Sequence, residues 1–190
     1  MDCSNSNYLN EIIVLESPGK MLENELANVA ADQAKNSGRP VILQLHGSFE
    51  AFGVVFDYLS RTDPFTRFEA GHFATIIRQQ LKRGHHLIAM DGQTIVGYVG
   101  WLLTTKDIGD LWQQDLGKLK PVAEEKCDAA ALTVVSSSNR AVLLRLIRGA
   151  RTLNPGKRVY FKRQYDDEGK GTRKASVKNV MSSTAALESR

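Results

Sequence analysis

Two stretches in the first half of the chain carry apolar residues at helical spacing. The first predicts a helix over FEAFGVVFDYLSRT, and its apolar residues are Phe49, Phe52, Val55, Phe56 and Leu59. The second predicts a helix from about Pro64 to Lys82, with Asp63 as its N-cap and Gly84 just past its end. The buried stripe of this second helix is predicted to be Phe65, Phe68, Phe73, Ile76, Ile77 and Leu81.

A β-hairpin is the strongest local pattern in the chain. HHLIAM has the composition of a strand, Asp91-Gly92 is typical of a tight turn, and QTIVGYVGWLLT predicts the returning strand. Successive side chains of a strand point to opposite faces, so one of His85 and His86 is expected to face the core.

The remaining segments predict further helices and strands. Around the two stretches above, we expect a helix over residues 18–34, a strand from Val41 to Leu45 and a short helix near Leu111. A buried strand, CDAAALTVV, leads into a capped helix, SSSNRAVLLRLIRGARTL, whose arginines are expected to face outward. The strands KRVYFKRQY and TRKASVKNV follow, so the predicted class is α/β (α+β), with a mixed central sheet and flanking helices.

Composition places the chain among ordinary globular proteins. It has 190 residues, of which 42% are hydrophobic and 24% charged. No apolar run approaches the roughly 18 residues that span a bilayer, and the N-terminus does not have the pattern of a secretory signal. Cys3 and Cys127 are expected to be reduced thiols, without the companions needed for a metal site. A cytoplasmic protein without a bound metal or cofactor is therefore predicted.

The net charge of +4 is distributed unevenly. Most basic residues of the second half lie between Arg140 and Lys178, where the acidic residues are Asp166, Asp167 and Glu168. Such a segment favours an acidic partner, whether nucleic acid, an acidic carrier protein or a phosphorylated cofactor. The absence of a recognised binding motif argues against nucleic acid.

The span from about Phe52 to Val180 resembles the RTX toxin-activating lysine acyltransferases, the hemolysin-activating family. The resemblance is carried by the order and spacing of FGVVFDYLSRTDPF, HHLIAMDGQTIVGYVGW, ALTVVSSSNRAVLLRLIRGARTL and RVYFKRQ. It implies a GNAT-like acyltransferase fold and transfer of a fatty acyl group from acyl carrier protein to a lysine of an acceptor protein such as an RTX protoxin. It also implies a homodimer. The predicted division is an N-terminal extension (1–48), a GNAT-like acyltransferase domain (49–180) and a flexible tail (181–190).

The chain departs from the family's catalytic pattern. Thr66 stands where the resemblance places a histidine, and Thr133 stands where it places an aspartate. A threonine hydroxyl is too weak a base to accept a proton from a lysine amine near neutral pH, whereas a histidine can. A water held between Thr66 and Thr133 is one candidate replacement. His72 is another, although helical geometry turns it away from Thr66 and a structural role explains it equally.

The resemblance also marks candidate donor-binding and carrier-binding residues. The candidates for binding the donor, either an acyl-acyl carrier protein or acyl-CoA, are Trp101 and the SSSNR turn. The turn consists of Ser136, Ser137, Ser138, Asn139 and Arg140. A helix N-terminus after a strand favours a phosphate, although serine capping without a ligand explains the same residues. Arg145, Arg148 and Arg151 are the candidate surface for an acidic carrier protein.

Three functions remain open at this point. The first is acyl transfer from acyl carrier protein to a protein lysine. The second is a catalytically silent module that binds an acyl chain or acyl carrier protein, motivated by the two threonines. The third is a small-molecule N-acyltransferase that uses coenzyme A.

Overall fold

The chain forms one mixed β-sheet with helices packed on both faces. The computed structural model describes residues 13–14, 39–163 and 173–178. Within these residues, seven strands lie side by side in chain order. They are β1 (Ile13–Val14), β2 (Val41–Gln44), β3 (His86–Asp91), β4 (Thr94–Thr104), β5 (Ala129–Ser137), β6 (Arg158–Arg163) and β7 (Arg173–Lys178).

The described part of the chain also contains α-helices and two short 3-10 helices. The α-helices are α1 (Phe49–Ser60), α2 (Ala70–Lys82), α3 (Lys106–Gln113) and α4 (Arg140–Thr152). The 3-10 helices are Phe65–Arg67 and Glu124–Lys126. Neighbouring strands pair antiparallel, except that β1 pairs parallel with β2 and β5 with β6. The predicted α/β class, with a mixed central sheet and flanking helices, is confirmed.

The helix predicted from about Pro64 to Lys82 is wrong in its first part. A 3-10 helix ends at Arg67, Phe68 is extended, and α2 begins only at Ala70. The apolar stripe continues across this break because Phe65 and Phe73 both enter the core. Their rings are stacked, with centroids 5.4 Å apart. Periodicity therefore does not reveal the interruption.

Glu69, rather than Asp63, caps α2. Its carboxylate accepts hydrogen bonds from the backbone N–H groups of Gly71 and His72, each at 3.0 Å. Asp63 instead accepts from the hydroxyl of Thr66 at 2.8 Å. The predicted cap at Asp63 is therefore wrong, because the turn that contains it belongs to the 3-10 helix.

Different helices cover the two faces of the sheet. α1 and α2 pack on the face formed by alternate residues of β2, β3 and β4, around the buried side chains of Leu59, Ile77 and Tyr98. α4 packs on the opposite face, with Val142 and Leu146 against Val99, Leu103 and Ala130. Two apolar layers on either side of one sheet account for most of the buried core.

α4 lies close to β4 because Gly97 has no side chain. A Cβ atom at Gly97 would come within 2.8 Å of Leu146 Cδ1 and 3.0 Å of Val142 Cγ1. Gly149, on α4, likewise faces Leu87, where a Cβ atom would come within 2.7 Å of Leu87 Cδ1. Contact at these two points holds the helix in one position across β3 and β4.

α3 covers the beginning of β5 and β6. Gly109 lies on the ring of Tyr160, to which an added Cβ atom would approach within 2.5 Å. The Tyr160 hydroxyl donates to Asp110 Oδ1 at 2.6 Å, and Arg158 lies 3.6 Å from the same oxygen. The short helix predicted near Leu111 is therefore confirmed and is attached to β6 through Tyr160.

Some predictions concern residues outside the described part of the chain. The helix over residues 18–34 and the tail 181–190 both lie there. Strand β2 falls within the range 1–48, and it pairs with β3 as part of the sheet. In the described residues, no helix is long and apolar enough to cross a membrane.

Candidate functional site

The ladder between β5 and β6 ends halfway along β5. In the described residues, the parallel pairs run from Ala129 with Arg158 to Leu132 with Phe161. β5 nevertheless continues to Ser137 and stays paired with β4 on its other side. Among the residues that the structure describes, the segment from Thr133 to Ser137, called here the open edge of β5, therefore has no paired residue of β6.

A β-bulge begins this open edge. Gly100 pairs with Val134, and the next residue of β4, Trp101, pairs with Leu132, so Thr133 is an extra residue on β5. A bulge bends its strand and increases the local twist. The Thr133 side chain is exposed although Leu132 and Val134 on either side are buried.

Gln80 of α2 connects Thr133 to the interior. Its Nε2 donates to Thr133 Oγ1 at 2.8 Å, and its Oε1 accepts from the hydroxyl of Tyr98 at 2.9 Å. Gln80 is only 5% exposed and Tyr98 is fully buried, so the hydrogen bond between them is shielded from water, whereas the one to Thr133 is only partly buried. The three residues form a polar chain from the core to the open edge.

Gly100 makes room for the Gln80 amide. A Cβ atom at Gly100 would lie 2.1 Å from Gln80 Oε1, which is shorter than any non-bonded contact. The amide therefore lies directly over the backbone of β4, beside the bulge. A side chain at this position would displace Gln80 from both of its partners.

Side chains of the turn at the end of β5 make hydrogen bonds to its own backbone groups. Asn139 is the N-cap of α4, and its Oδ1 accepts from the N–H of Val142 at 3.0 Å. The hydroxyl of Ser137 donates to the carbonyl of Asn139 at 2.6 Å. Ser136 is buried and shares a hydrogen bond of 2.9 Å with the hydroxyl of Tyr58 on α1. An asparagine, and not a serine, thus caps the helix.

Ser138 and Arg140 remain exposed at this turn. The first N–H groups of α4, those of Arg140 and Ala141, have no partner within the helix. They lie at the positive end of the helix dipole, at the end of the open edge of β5. Of the five residues predicted to bind the donor here, Ser138 and Arg140 are exposed and do not cap the helix, although the Ser138 hydroxyl accepts from Nδ2 of the capping Asn139 at 3.4 Å.

The structure does not bring Thr66 together with Thr133. Thr66 is exposed on the 3-10 helix and bonds to Asp63, whereas Thr133 bonds to Gln80. Phe65, the neighbour of Thr66, stacks on Phe73 in α2. Gln80 follows Phe73 by seven residues, which corresponds to about 10 Å along the helix. In the described residues the two threonines thus have different hydrogen-bond partners, and the shared water remains a prediction.

His72 lies in the first turn of α2 and is exposed. His72 is eight residues from Gln80, which corresponds to about 12 Å along the helix at about 1.5 Å per residue. The histidine is thus at the opposite end of α2 from the residue that contacts Thr133.

Trp101 belongs to the core and not to an exposed surface. It is 3% exposed, and its ring stacks on that of His85 with centroids 6.0 Å apart. It packs in the same cluster as Leu132 and Val159. Its side chain supports the strands where the β5–β6 ladder ends.

The three arginines predicted as a carrier-binding surface differ in their exposure. Arg148 is exposed, whereas Arg145 and Arg151 are partly buried. Arg145 donates from Nη1 to the carbonyl of Pro40 at 2.5 Å, and its partial burial lowers the pKa of the guanidinium. The expectation that all three face outward is therefore wrong, because Arg145 connects α4 to the segment before β2.

His86 is the buried member of the histidine pair, as the strand alternation predicts. Its Nε2 accepts from the N–H of Leu45 at 3.0 Å, and its Nδ1 lies 3.3 Å from the carbonyl of Gln80. Burial lowers the pKa of His86 to about 4. The neutral ring thus connects the end of β2 to the end of α2, beneath Gln80.

The sequence reasoning missed Gln80, Tyr98 and Tyr58 as parts of this site. A signal was present for Gln80, since it follows Phe73 and Ile77 by seven and three residues on the apolar face of α2. A polar residue on such a face requires a buried partner. No comparable signal marks Tyr58 or Tyr98, whose partners are set by tertiary contacts. No group of three or more potential metal ligands occurs in the described residues.

Comparisons with known proteins give limited similarity. No family profile matches the sequence, and no curated protein matches it. A mosquito arylalkylamine N-acetyltransferase-like 5b structure is similar at 9% identity and a TM-score of 0.46, covering 65% of this chain and 76% of that one. An N-acetyltransferase from Staphylococcus aureus Mu50 is similar at 12% identity and a TM-score of 0.39, covering 67% and 84%. With both TM-scores below 0.5, these similarities support no conclusion beyond the α/β fold that the chain's own sheet shows.

Proposed function

We propose that this chain is an acyltransferase with a GNAT-like layout, which binds an acyl thioester along the open edge of β5. The observation that carries the proposal is the end of the β5–β6 ladder at Leu132 and Phe161, together with the bulge at Thr133. An extended pantetheine arm can add its amide groups to an unpaired strand edge, as peptides do in strand addition. The exposed start of α4 at the far end of this edge suits the phosphate of the same donor.

The proposed reaction transfers the acyl group from sulfur to nitrogen. An amine attacks the thioester carbonyl, a C–N bond forms, and the C–S bond breaks. The amine loses a proton and the departing thiolate gains one, so the products are an amide and a thiol. Positioning of the two substrates and stabilisation of the oxyanion supply most of what such a reaction requires.

The exposed face of α4 supports a protein as the carrier of the donor. Arg140, Leu144 and Arg148 follow one another at intervals of four residues and are all exposed, which places them on one side of the helix. Leu144 is 54% exposed, an apolar group between two cations. A surface of this kind suits an acidic helix with an apolar residue, as acyl carrier protein would present. This surface replaces Arg145 and Arg151 in the interface predicted from the sequence.

The acceptor and the acyl group follow from the family resemblance. It implies a fatty acyl group and a lysine side chain of a protein such as an RTX protoxin. Coenzyme A as the donor and a small amine as the acceptor form the alternative on the same layout. The exposed basic and apolar face of α4 favours the carrier protein.

A second candidate function is a catalytically silent acyl-binding module. The observation that favours it is the separation of Thr66 and Thr133, each of which is occupied by a different partner. In the described residues, the hydrogen bond to the Thr133 hydroxyl comes from an amide, and not from a carboxylate or imidazole that could accept a proton.

The test is incubation with acyl carrier protein that carries a radiolabelled fatty acyl group, with and without a lysine acceptor protein. Label on the acceptor supports the transferase, and its loss in Thr133→Val would connect the activity to the open edge of β5. A stable complex without transfer supports the silent module. Transfer from acyl-CoA but not from acyl carrier protein contradicts the proposed donor.

A further inference from the structure

We propose that Thr133 is a hydrogen-bond donor to an oxygen atom of the bound ligand, and that Gln80 and Tyr98 are the positioning residues that give it this role. The inference rests on the proposed function, because it assigns the thioester carbonyl oxygen as the acceptor. It differs from the roles considered above, in which Thr133 replaces a base.

Tyr98 determines the orientation of the amide. Its side chain is fully buried, and burial raises the pKa of its hydroxyl above the ordinary value, so the phenol keeps its proton. That proton is donated to Gln80 Oε1 at 2.9 Å. An oxygen that receives this hydrogen bond turns the amide so that its nitrogen faces the other way, toward β5.

Gln80 in turn determines what the Thr133 hydroxyl can do. The amide nitrogen is a donor only, and at 2.8 Å it uses a lone pair of Thr133 Oγ1. The hydroxyl therefore keeps its own hydrogen, for which the described part of the chain offers no acceptor within a hydrogen bond. Since the Thr133 side chain is exposed at the start of the open edge, this hydrogen is available to a ligand.

The local backbone restricts this arrangement to one geometry. Gly100 leaves the space that the amide occupies, since a Cβ atom there would lie 2.1 Å from Gln80 Oε1. The bulge places Thr133, as the extra residue, opposite this same part of β4. A fixed donor costs little reorganisation when charge develops on the oxygen that it contacts, which is the basis of oxyanion stabilisation.

The experiment compares two pantetheine ligands that differ in one oxygen atom. The first retains the acyl carbonyl but has a methylene group in place of the thioester sulfur. The second is of equal length and has methylene groups in place of both the sulfur and the carbonyl. Calorimetry of the full chain gives a dissociation constant for each ligand. In the wild-type protein the carbonyl ligand is expected to bind roughly tenfold more tightly, as one well-placed hydrogen bond provides.

Three variants then test the residues. Thr133→Val is expected to abolish the preference for the carbonyl ligand, and Thr133→Ser to retain it. The double variant Gln80→Met/Tyr98→Phe removes both ends of the buried hydrogen bond while keeping similar shapes, which avoids an unsatisfied buried group. It is expected to reduce the preference for the carbonyl ligand several-fold, by weakening the binding of that ligand more than the binding of the ligand without the carbonyl. Thermal unfolding of each variant confirms that it is folded.

The outcomes separate this inference from the proposed function. Equal binding of the two ligands to the wild-type protein, or a carbonyl preference that survives Thr133→Val, overturns the donor role and leaves the acyl-binding site in place. If the double variant weakens the binding of both ligands equally, Gln80 and Tyr98 have a structural role only. Failure of both ligands to bind overturns the proposed function as well.

Discussion

The amide nitrogen of Gln80 lies 2.8 Å from the hydroxyl oxygen of Thr133, which joins the end of α2 to the bulge of β5. The two residues are separated by 53 positions in the sequence. Their contact places a buried polar group against a side chain that is exposed at the edge of the sheet.

Acid is expected to destabilise the protein through His86. Burial lowers its pKa from 6.5 to about 4 in the folded chain, so the unfolded chain binds a proton first as the pH falls. The free energy of unfolding should therefore be highest above about pH 6.5. It should decrease by up to roughly 3 kcal/mol as the pH falls from about 6.5 toward about 4. Urea unfolding at pH 7 and at pH 5 measures the difference.

His86→Gln is the matched variant, because its amide can accept from Leu45 and donate to Gln80 without titrating in this range. It should reduce the difference between the two pH values, while His46→Gln, at an exposed position, should not. A wild-type stability that does not change between pH 7 and pH 5 would contradict the prediction.

Gly97→Ala is expected to destabilise the packing of α4 on the sheet. The added methyl group would meet Leu146 and Val142 at 2.8 and 3.0 Å, and both side chains are held in the core. Overpacking of this kind costs about 1–3 kcal/mol. Chemical denaturation gives the change in the free energy of unfolding.

Gly53→Ala is the control for that measurement. Gly53 lies on the exposed side of α1, with nothing within 4 Å of an added Cβ atom. Replacing a helical glycine by alanine there should stabilise the protein by about 0.5–1 kcal/mol. Equal effects of the two substitutions would show that the close approach of α4 to β4 is not the cause.

Gly100→Ala is expected to be destabilising and to depend on Gln80. The new methyl group would occupy the position of Gln80 Oε1, so the amide must leave Tyr98 and Thr133. Removing the Gln80 side chain should relieve this conflict. In a double-mutant cycle with Gln80→Ala, the combined loss should be smaller than the sum of the single losses by about 1 kcal/mol or more. If the losses in the free energy of unfolding are additive, the added methyl group does not conflict with Gln80.

Charge reversal on α4 is expected to weaken the binding of acyl carrier protein. Arg140→Glu and Arg148→Glu change the exposed face around Leu144, and together they should raise the dissociation constant roughly tenfold at low salt. The effect should decrease as salt is added, because exposed charges are screened. Arg61→Glu, at the exposed C-cap of α1, is the control. Equal effects at both places would indicate non-specific attraction.

Local patterns were sufficient for most of the secondary structure. The Asp91-Gly92 turn predicted the β3–β4 hairpin, and the apolar spacing predicted α1 and α4. These elements depend on residues close to one another in the chain, which is why the sequence shows them. The break at Phe68 was missed because the apolar face of α2 continues through Phe65, although the backbone between them is not helical.

The site depended on contacts between residues that are distant in sequence. The sequence by itself determined the α/β class, the order of its elements and a polar turn after β5, since these follow from local periodicity and turn chemistry. Only the tertiary structure decided that Thr133 is the extra residue of a bulge, that Gln80 reaches it from α2, and that Arg145 points to Pro40. The physical reason is that strand register and buried hydrogen bonds are selected by the packing of the whole sheet against its helices, and no local pattern encodes that choice.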